Sequence, residues 1–225
     1  MTVTQEKYEH FKKLIRNEYR NHEAIHCAKI GGVERLVWAH PGTTIYRVDY
    51  ILYRNTLFVS GDLGAAVYRW GGTAITLEWI ATECSLDYFA GKCEASETGR
   101  EFTEWDSRVA ADYVRDYLRE CGDEAEDATE GTSGWDKFAL ALGESALSSQ
   151  FEWHMWLHDN GYEFFGDCYY ECGDVGKIIN FRCVSHLEGL KAAFEQINNK
   201  ETKDAKCDAI DIGDRGEAEH AVQPA

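Results

Sequence analysis

The sequence predicts an α+β fold: an N-terminal helix, a three- or four-stranded antiparallel meander, then a mostly helical C-terminal half. Three observations carry this. Tyr8, Phe11, Ile15 and Tyr19 recur at three- and four-residue steps, which is one face of a helix. Between residues 33 and 70, β-branched and aromatic side chains come in short runs broken by Pro41-Gly42, Arg54-Asn55 and Gly61-Asp62-Leu63-Gly64. Beyond residue 70, hydroxyl or acidic caps precede apolar runs of helical period. A chain of 225 residues can bury enough surface to fold without disulfide or metal staples. Its 44% hydrophobic and 13% aromatic content excludes a disordered class.

The first helix is expected over residues 4–24 with Thr4 as its N-cap, and Gly31-Gly32 closes that region. Strands are expected at 33–38, 45–53 and 57–60, with a fourth at 65–70; connections this short force antiparallel neighbours. Short helices follow at 73–83 and 85–93. A longer one is expected over 104–120, with Thr103 as N-cap and Trp105, Val109, Tyr113 and Tyr117 as its buried stripe. Residues 122–131 carry five acids and no base, which predicts an exposed loop. A short helix is expected at 135–142. Ser149 and Glu152 read as a capping box for a helix that Gly161 stops, with apolar residues all around its cylinder. Ser185 and Glu188 read as a second capping box, opening a last helix that buries Leu187, Leu190, Phe194 and Ile197. Residues 1–197 are expected to form one domain, and residues 198–225 a polar, aperiodic, flexible tail.

Charge is the outlying property. Forty acids against 23 bases give −17, and the imbalance is uneven: residues 1–60 are net +3, 61–130 net −11 and 131–225 net −9. Such a field repels nucleic acid and anionic lipid and favours a basic partner. No apolar run approaches the roughly 18 residues of a membrane helix. The opening MTVTQEKYEHFKK lacks the apolar core of a secretory signal, which predicts a cytosolic chain with reduced cysteines.

Four places could carry chemistry. Cys168, Cys172, Cys183 and His186 offer three thiols and an imidazole, a donor set zinc accepts, although the spacing is not a familiar zinc-knuckle pattern; packed thiols are the alternative. His154 and His158 share a helical face, but Met155 stands where a zincin needs its glutamate. His22 and His26 repeat that spacing on the first helix. Gly61, Asp62 and Gly64 form a dense turn at a strand end without the lysine of a phosphate loop or the third glycine of a dinucleotide fingerprint. No hydrolase elbow, kinase set or EF-hand loop is present. The aromatics of the meander (Trp38, Tyr46, Tyr50, Tyr53, Tyr68, Trp70 and Trp79) exceed what one sheet face needs. That excess predicts either a partner surface or a sheet covered on both faces.

The tract from Val59 to Trp70, VSGDLGAAVYRW, together with Leu86-Asp87-Tyr88-Phe89 before Lys92-Cys93 and Arg182-Cys183 before His186-Leu187, resembles a group of uncharacterised proteins encoded by bacteriophages and prophages. The resemblance implies the cytoplasm of an infected or lysogenic bacterial host and supplies no catalytic residues. Acidity, the lack of a catalytic signature and this resemblance lead to one expectation: a non-enzymatic accessory protein that inhibits a host nucleic-acid-handling defence complex. Inhibitors of CRISPR systems are one such kind. Glu94, Glu97, Asp123, Glu124, Glu126 and Asp127 would imitate phosphates on a basic protein surface, with no direct nucleic-acid or membrane contact and no required cofactor. The alternatives are a zinc-binding or hydrolytic protein using the cysteine cluster, and a structural or replication protein of the phage, for which a second copy of the chain is a natural partner.

Overall fold

The computed structural model describes residues 2–72, 74–97, 102–122 and 149–212. Among them it is an α+β protein with an N-terminal helix, an antiparallel sheet and a helical C-terminal half. Helix α1 (Val3–Glu18) starts at Thr2 rather than Thr4. The Thr2 hydroxyl accepts from the Gln5 amide while the Gln5 side chain accepts from Thr2 N, a reciprocal pair that satisfies two end donors. The helix also stops six residues earlier than its periodicity suggests. Residues beyond it turn into strand β1 (Glu23–Ile30), so His22 and His26 share no helix face.

The meander has six strands rather than four. β1 is followed by β2 (Val33–Ala39), β3 (Val48–Tyr53), β4 (Thr56–Gly61), β5 (Ala66–Arg69) and β6 (Cys93–Ser96), each antiparallel to the one before and in sequence order. Gly31 and Gly32, both at positive φ, join β1 to β2 in the two-residue turn that such hairpins favour. Between β5 and β6 lie α2 (Leu77–Glu83), capped by Thr76, and α3 (Leu86–Ala90), capped by Ser85.

A second, two-stranded sheet pairs β7 (Thr103–Trp105) with β8 (Lys177–Ile179). Thr103 therefore sits in a strand. The cap of α4 (Ser107–Gly122) is Asp106, whose Oδ1 accepts from Arg108 N at 2.8 Å and Val109 N at 3.4 Å. This shift rotates the buried stripe to Ala110 and Val114 and leaves Tyr113 exposed. Helix α5 (Gln150–Phe165) is capped by Ser149 as expected but runs through Gly161 to Gly166, at φ +54°. Gly161 lies in the helix because Tyr169 crosses it closely: a Cβ there would stand 3.0 Å from the tyrosine's own Cβ. A 3₁₀ segment follows (Gly166–Asp174).

The last helix, α6 (Phe181–Ile212), begins four residues before the expected capping box. Asn180 caps it, Oδ1 accepting from Cys183 N at 3.0 Å, and Ser185 is an internal residue whose hydroxyl donates to Phe181 O. The helix extends through residues 198–212, where the sequence reads polar and aperiodic.

Two apolar clusters result. The larger sets α1, α2, α3 and α6 against one face of the six-stranded sheet and buries Leu36, Trp38, Tyr50, Tyr68, Leu187 and Leu190. On the opposite sheet face Ile51, Tyr53 and Phe58 are exposed, so the described residues do not cover the sheet on both faces. The smaller cluster holds Val114, Trp153, Trp156, Leu157, Phe165 and Cys172. Lys7 of α1 ties the two halves, its Nζ lying 2.9 Å from Glu104 and 2.8 Å from Asp106.

Candidate functional site

The glycine loop after β4 is built for close approach. Gly61 has φ +151°, and a Cβ there would run into the Arg47 carbonyl. Asp62 braces the neighbouring turn: its carboxylate accepts from Tyr46 N at 2.9 Å, holding Tyr46 at positive φ. Gly64, at φ +97°, lies under Glu97 and Arg182, which pair with each other at 3.3 Å. The loop thus gathers Gly64, Glu97 and Arg182 above the buried start of α6.

Beneath it sits a closed polar network. The Tyr68 hydroxyl lies 2.9 Å from His186 Nδ1 and 3.9 Å from Cys183 Sγ; the Tyr50 hydroxyl donates to His186 O at 2.8 Å and Tyr19 to Ser185 O at 3.4 Å. The His186 Nε2 atom has no hydrogen-bond partner. Burial pushes the Cys183 thiol up to about 12, a bond from Tyr68 only partly opposing it. Burial pulls His186 down to about 4 despite the backbone of Leu63 and Gly64, which favours the charged ring. Both groups are neutral at pH 7. A thiol and an imidazole tuned this way form no thiolate–imidazolium pair, so the network braces sheet against helix rather than supplying a nucleophile.

The described members of the sequence-predicted metal set fall in two places. Cys183 and His186 belong to the large cluster and Cys172 to the small one, where Trp153 Nε1 donates to its carbonyl at 2.8 Å. The Cys168 side chain lies outside the described residues. No group of three or more His, Cys, Asp or Glu side chains able to hold a metal converges among the described residues. His154 and His158 are both exposed and separately engaged, the first with Gly173 O at 2.7 Å, the second with Asp159 at 3.0 Å.

Of the acids expected to meet a partner, Asp123, Glu124, Glu126 and Asp127 lie outside the described residues. Glu94 is exposed; Glu97 is exposed but held by Arg182. A different acidic surface emerges on α5. Its inner face buries Trp153, Trp156, Leu157 and Phe165. Its outer face leaves Phe151 72%, Met155 50% and Tyr162 70% exposed. At 3.6 residues per turn these three fall within about 40° of one another around the axis, and Glu152, Asp159 and Glu163 form an exposed row about 80–120° from Phe151. Residues 150–176 contain six carboxylates and neither lysine nor arginine. The apolar residues all around this helix thus split between core and surface. The spacing of 151, 155 and 162 opposite the paired tryptophans was the available signal.

Compared with known proteins, the chain matches no family model, no curated protein and no solved structure. Among the described residues no helix is long and apolar enough to cross a membrane.

Proposed function

We propose that this chain is a non-enzymatic binding protein that docks on a basic protein surface through the acid-flanked apolar stripe of α5. One observation carries the reading: Phe151, Met155 and Tyr162 stand exposed on a single helix line beside Glu152, Asp159 and Glu163, in a stretch without lysine or arginine. The two components do different work. Exposed ion pairs contribute about 1 kcal/mol or less each, so the carboxylates steer encounter and select partner charge. Aromatic anchors in a partner's pockets contribute about 2 kcal/mol or more each and hold the complex. Phosphate mimicry by acids alone would be weak; apolar anchors give the acidic face its grip.

The partner we favour is a nucleic-acid-handling defence complex in a bacterial host. Its groove for DNA or RNA supplies the positive surface, and the likeness of residues 59–70 to phage-encoded proteins supplies the setting. The test is capture from a host expressing defined defence systems, comparing the native chain with a Phe151→Asp/Met155→Asp/Tyr162→Asp variant. At low salt the native chain retains a basic, nucleic-acid-binding complex and the variant does not. Raising salt from about 0.05 M to 0.5 M shortens the screening length severalfold and weakens retention. Equal retention by both chains, or no basic protein on the native chain at low salt, overturns the reading.

A further inference from the structure

The outer face of the six-stranded sheet reverses the charge of the chain. Strand alternation buries Tyr50, Leu52, Leu57 and Tyr68 against the helices and turns their neighbours outward. The register sets the outward residues in rows. Arg35 lies opposite Ile51 and Ile51 opposite Phe58; Tyr53 lies opposite Thr56 and Thr56 opposite Arg69. Ile51, Tyr53 and Phe58 are 36%, 40% and 45% exposed and make an apolar centre. Arginines stand on every side of it: Arg35 on β2, Arg69 on β5, Arg54 in the turn after Tyr53, and Arg47 before β3. Strands β2–β5 contain two carboxylates. Glu34 turns to the core side, accepting from Leu77 N at 2.8 Å. Asp49 lies between Arg35 and Arg47, at 3.2 and 2.6 Å. Arg54 and Arg69 make no ion pair with a described residue, and the Arg54 guanidinium lies 5.1 Å from the centre of the Tyr53 ring. In a chain of 40 acids and 23 bases this face runs against the composition. An exposed apolar centre with a charged rim is the anatomy of an interface.

The complement of this surface is on the same chain. The α5 stripe sets Phe151, Met155 and Tyr162 beside Glu152, Asp159 and Glu163, where residues 150–176 hold neither lysine nor arginine. Acids flank apolar anchors there; arginines flank an apolar centre on the sheet. The sizes agree. At 1.5 Å per residue the line from Phe151 to Tyr162 is about 16 Å long. The sheet patch is about 14 Å across its four strands and about 20 Å along β3 from Arg47 to Tyr53.

We infer that the outer sheet face of one copy receives the α5 stripe of a second copy, with Glu152, Asp159 and Glu163 against Arg54 and Arg69. The inference rests on α5 being the docking surface proposed above, and it makes a second copy compete with the basic partner for that surface. The two surfaces differ, so the contact is head-to-tail and builds chains of copies or a closed ring.

Sedimentation of the reduced full chain tests it. At about 0.05 M salt the mass exceeds that of one copy and rises with concentration between about 10 μM and 1 mM, and about 0.5 M salt weakens association about tenfold or more. Arg54→Glu/Arg69→Glu and Phe151→Asp/Met155→Asp/Tyr162→Asp change only exposed side chains, and each abolishes association. Mixed together, the two variants form a complex of two copies and grow no further, because the first keeps α5 and the second keeps the sheet face. A native chain that stays monomeric overturns the inference. So does association that survives the arginine variant, or a mixture of variants, each melting with the native chain, that forms no two-copy complex. Retention of a basic host complex by a chain that stays monomeric removes the second copy and leaves the α5 docking surface standing.

Discussion

The two halves of the molecule spend their polar and charged groups in opposite ways. Around the six-stranded sheet, three carboxylates are matched to cations: Asp49 to Arg35 and Arg47, Glu34 to Lys29, Glu97 to Arg182. The hydroxyls of the sheet residues Tyr50 and Tyr68 bond to α6 across the core. Around α5, the core is a cluster of large rings, with Trp153 and Trp156 stacked at 5.5 Å, and the surface combines unbalanced acids with exposed apolar side chains. Acidity is therefore not a uniform coat. Six of the 40 acids fall in residues 150–176, beside the exposed Phe151, Met155 and Tyr162.

The largest effect that would sharpen this contrast comes from Trp153, fully buried at the centre of the smaller cluster. Trp153→Ala should cost about 3–5 kcal/mol. Hydrogen exchange should locate the loss in α4, α5 and the 3₁₀ segment while the β2–β4 amides stay protected. Equal loss of protection in both halves would mean the clusters unfold as one.

Next in size is a pH effect confined to the larger core. His186 has a folded-state pKa of about 4 against an ordinary 6.5, so the unfolded chain binds the proton more readily. Stability is full above pH 6.5, falls as pH drops toward 4 and levels off below, by up to about 3 kcal/mol. His22, also lowered by burial, adds in the same direction. Asp106, where burial is outweighed by bonds from Lys7 and Arg108, is held at about 2, so its contribution disappears only as pH falls from 3.8 toward 2. Denaturant melts between pH 7 and 4 should show the histidine slope, and His186→Gln should remove most of it.

Asp106→Ala removes both the cap of α4 and the Lys7 contact that joins the halves. It should cost about 1–2 kcal/mol, read as a lower denaturation midpoint. The smallest stability effect is expected for the triple substitution at Phe151, Met155 and Tyr162, within about 0.5 kcal/mol per site because each is exposed. A large thermal destabilisation there would show that these side chains serve the fold rather than a partner.

Some of this was legible in the residues alone. Strands β2–β5 follow from alternation and turn chemistry, and the cap Ser149 from hydroxyl placement. The N-cap expected at Thr103 and the capping box expected at Ser185 misled for a shared reason. Both sit beside segments that β7, β8 and Asn180 recruit through contacts remote in sequence, and local propensity yields to such pairing. Strand β1 was hidden because the helical period of α1 runs toward it and only pairing with β2 decides its state.

Composition and period determined the α+β class, the meander and the uneven acidity, because alternation, turn residues and charge counts are local quantities. Tertiary structure alone decided that Cys172 and Cys183 lie in different cores, that Glu97 is held by Arg182, and that one side of α5 stays uncovered. Each of these joins residues far apart in the chain. Long-range packing sets such distances, and no window of sequence contains them.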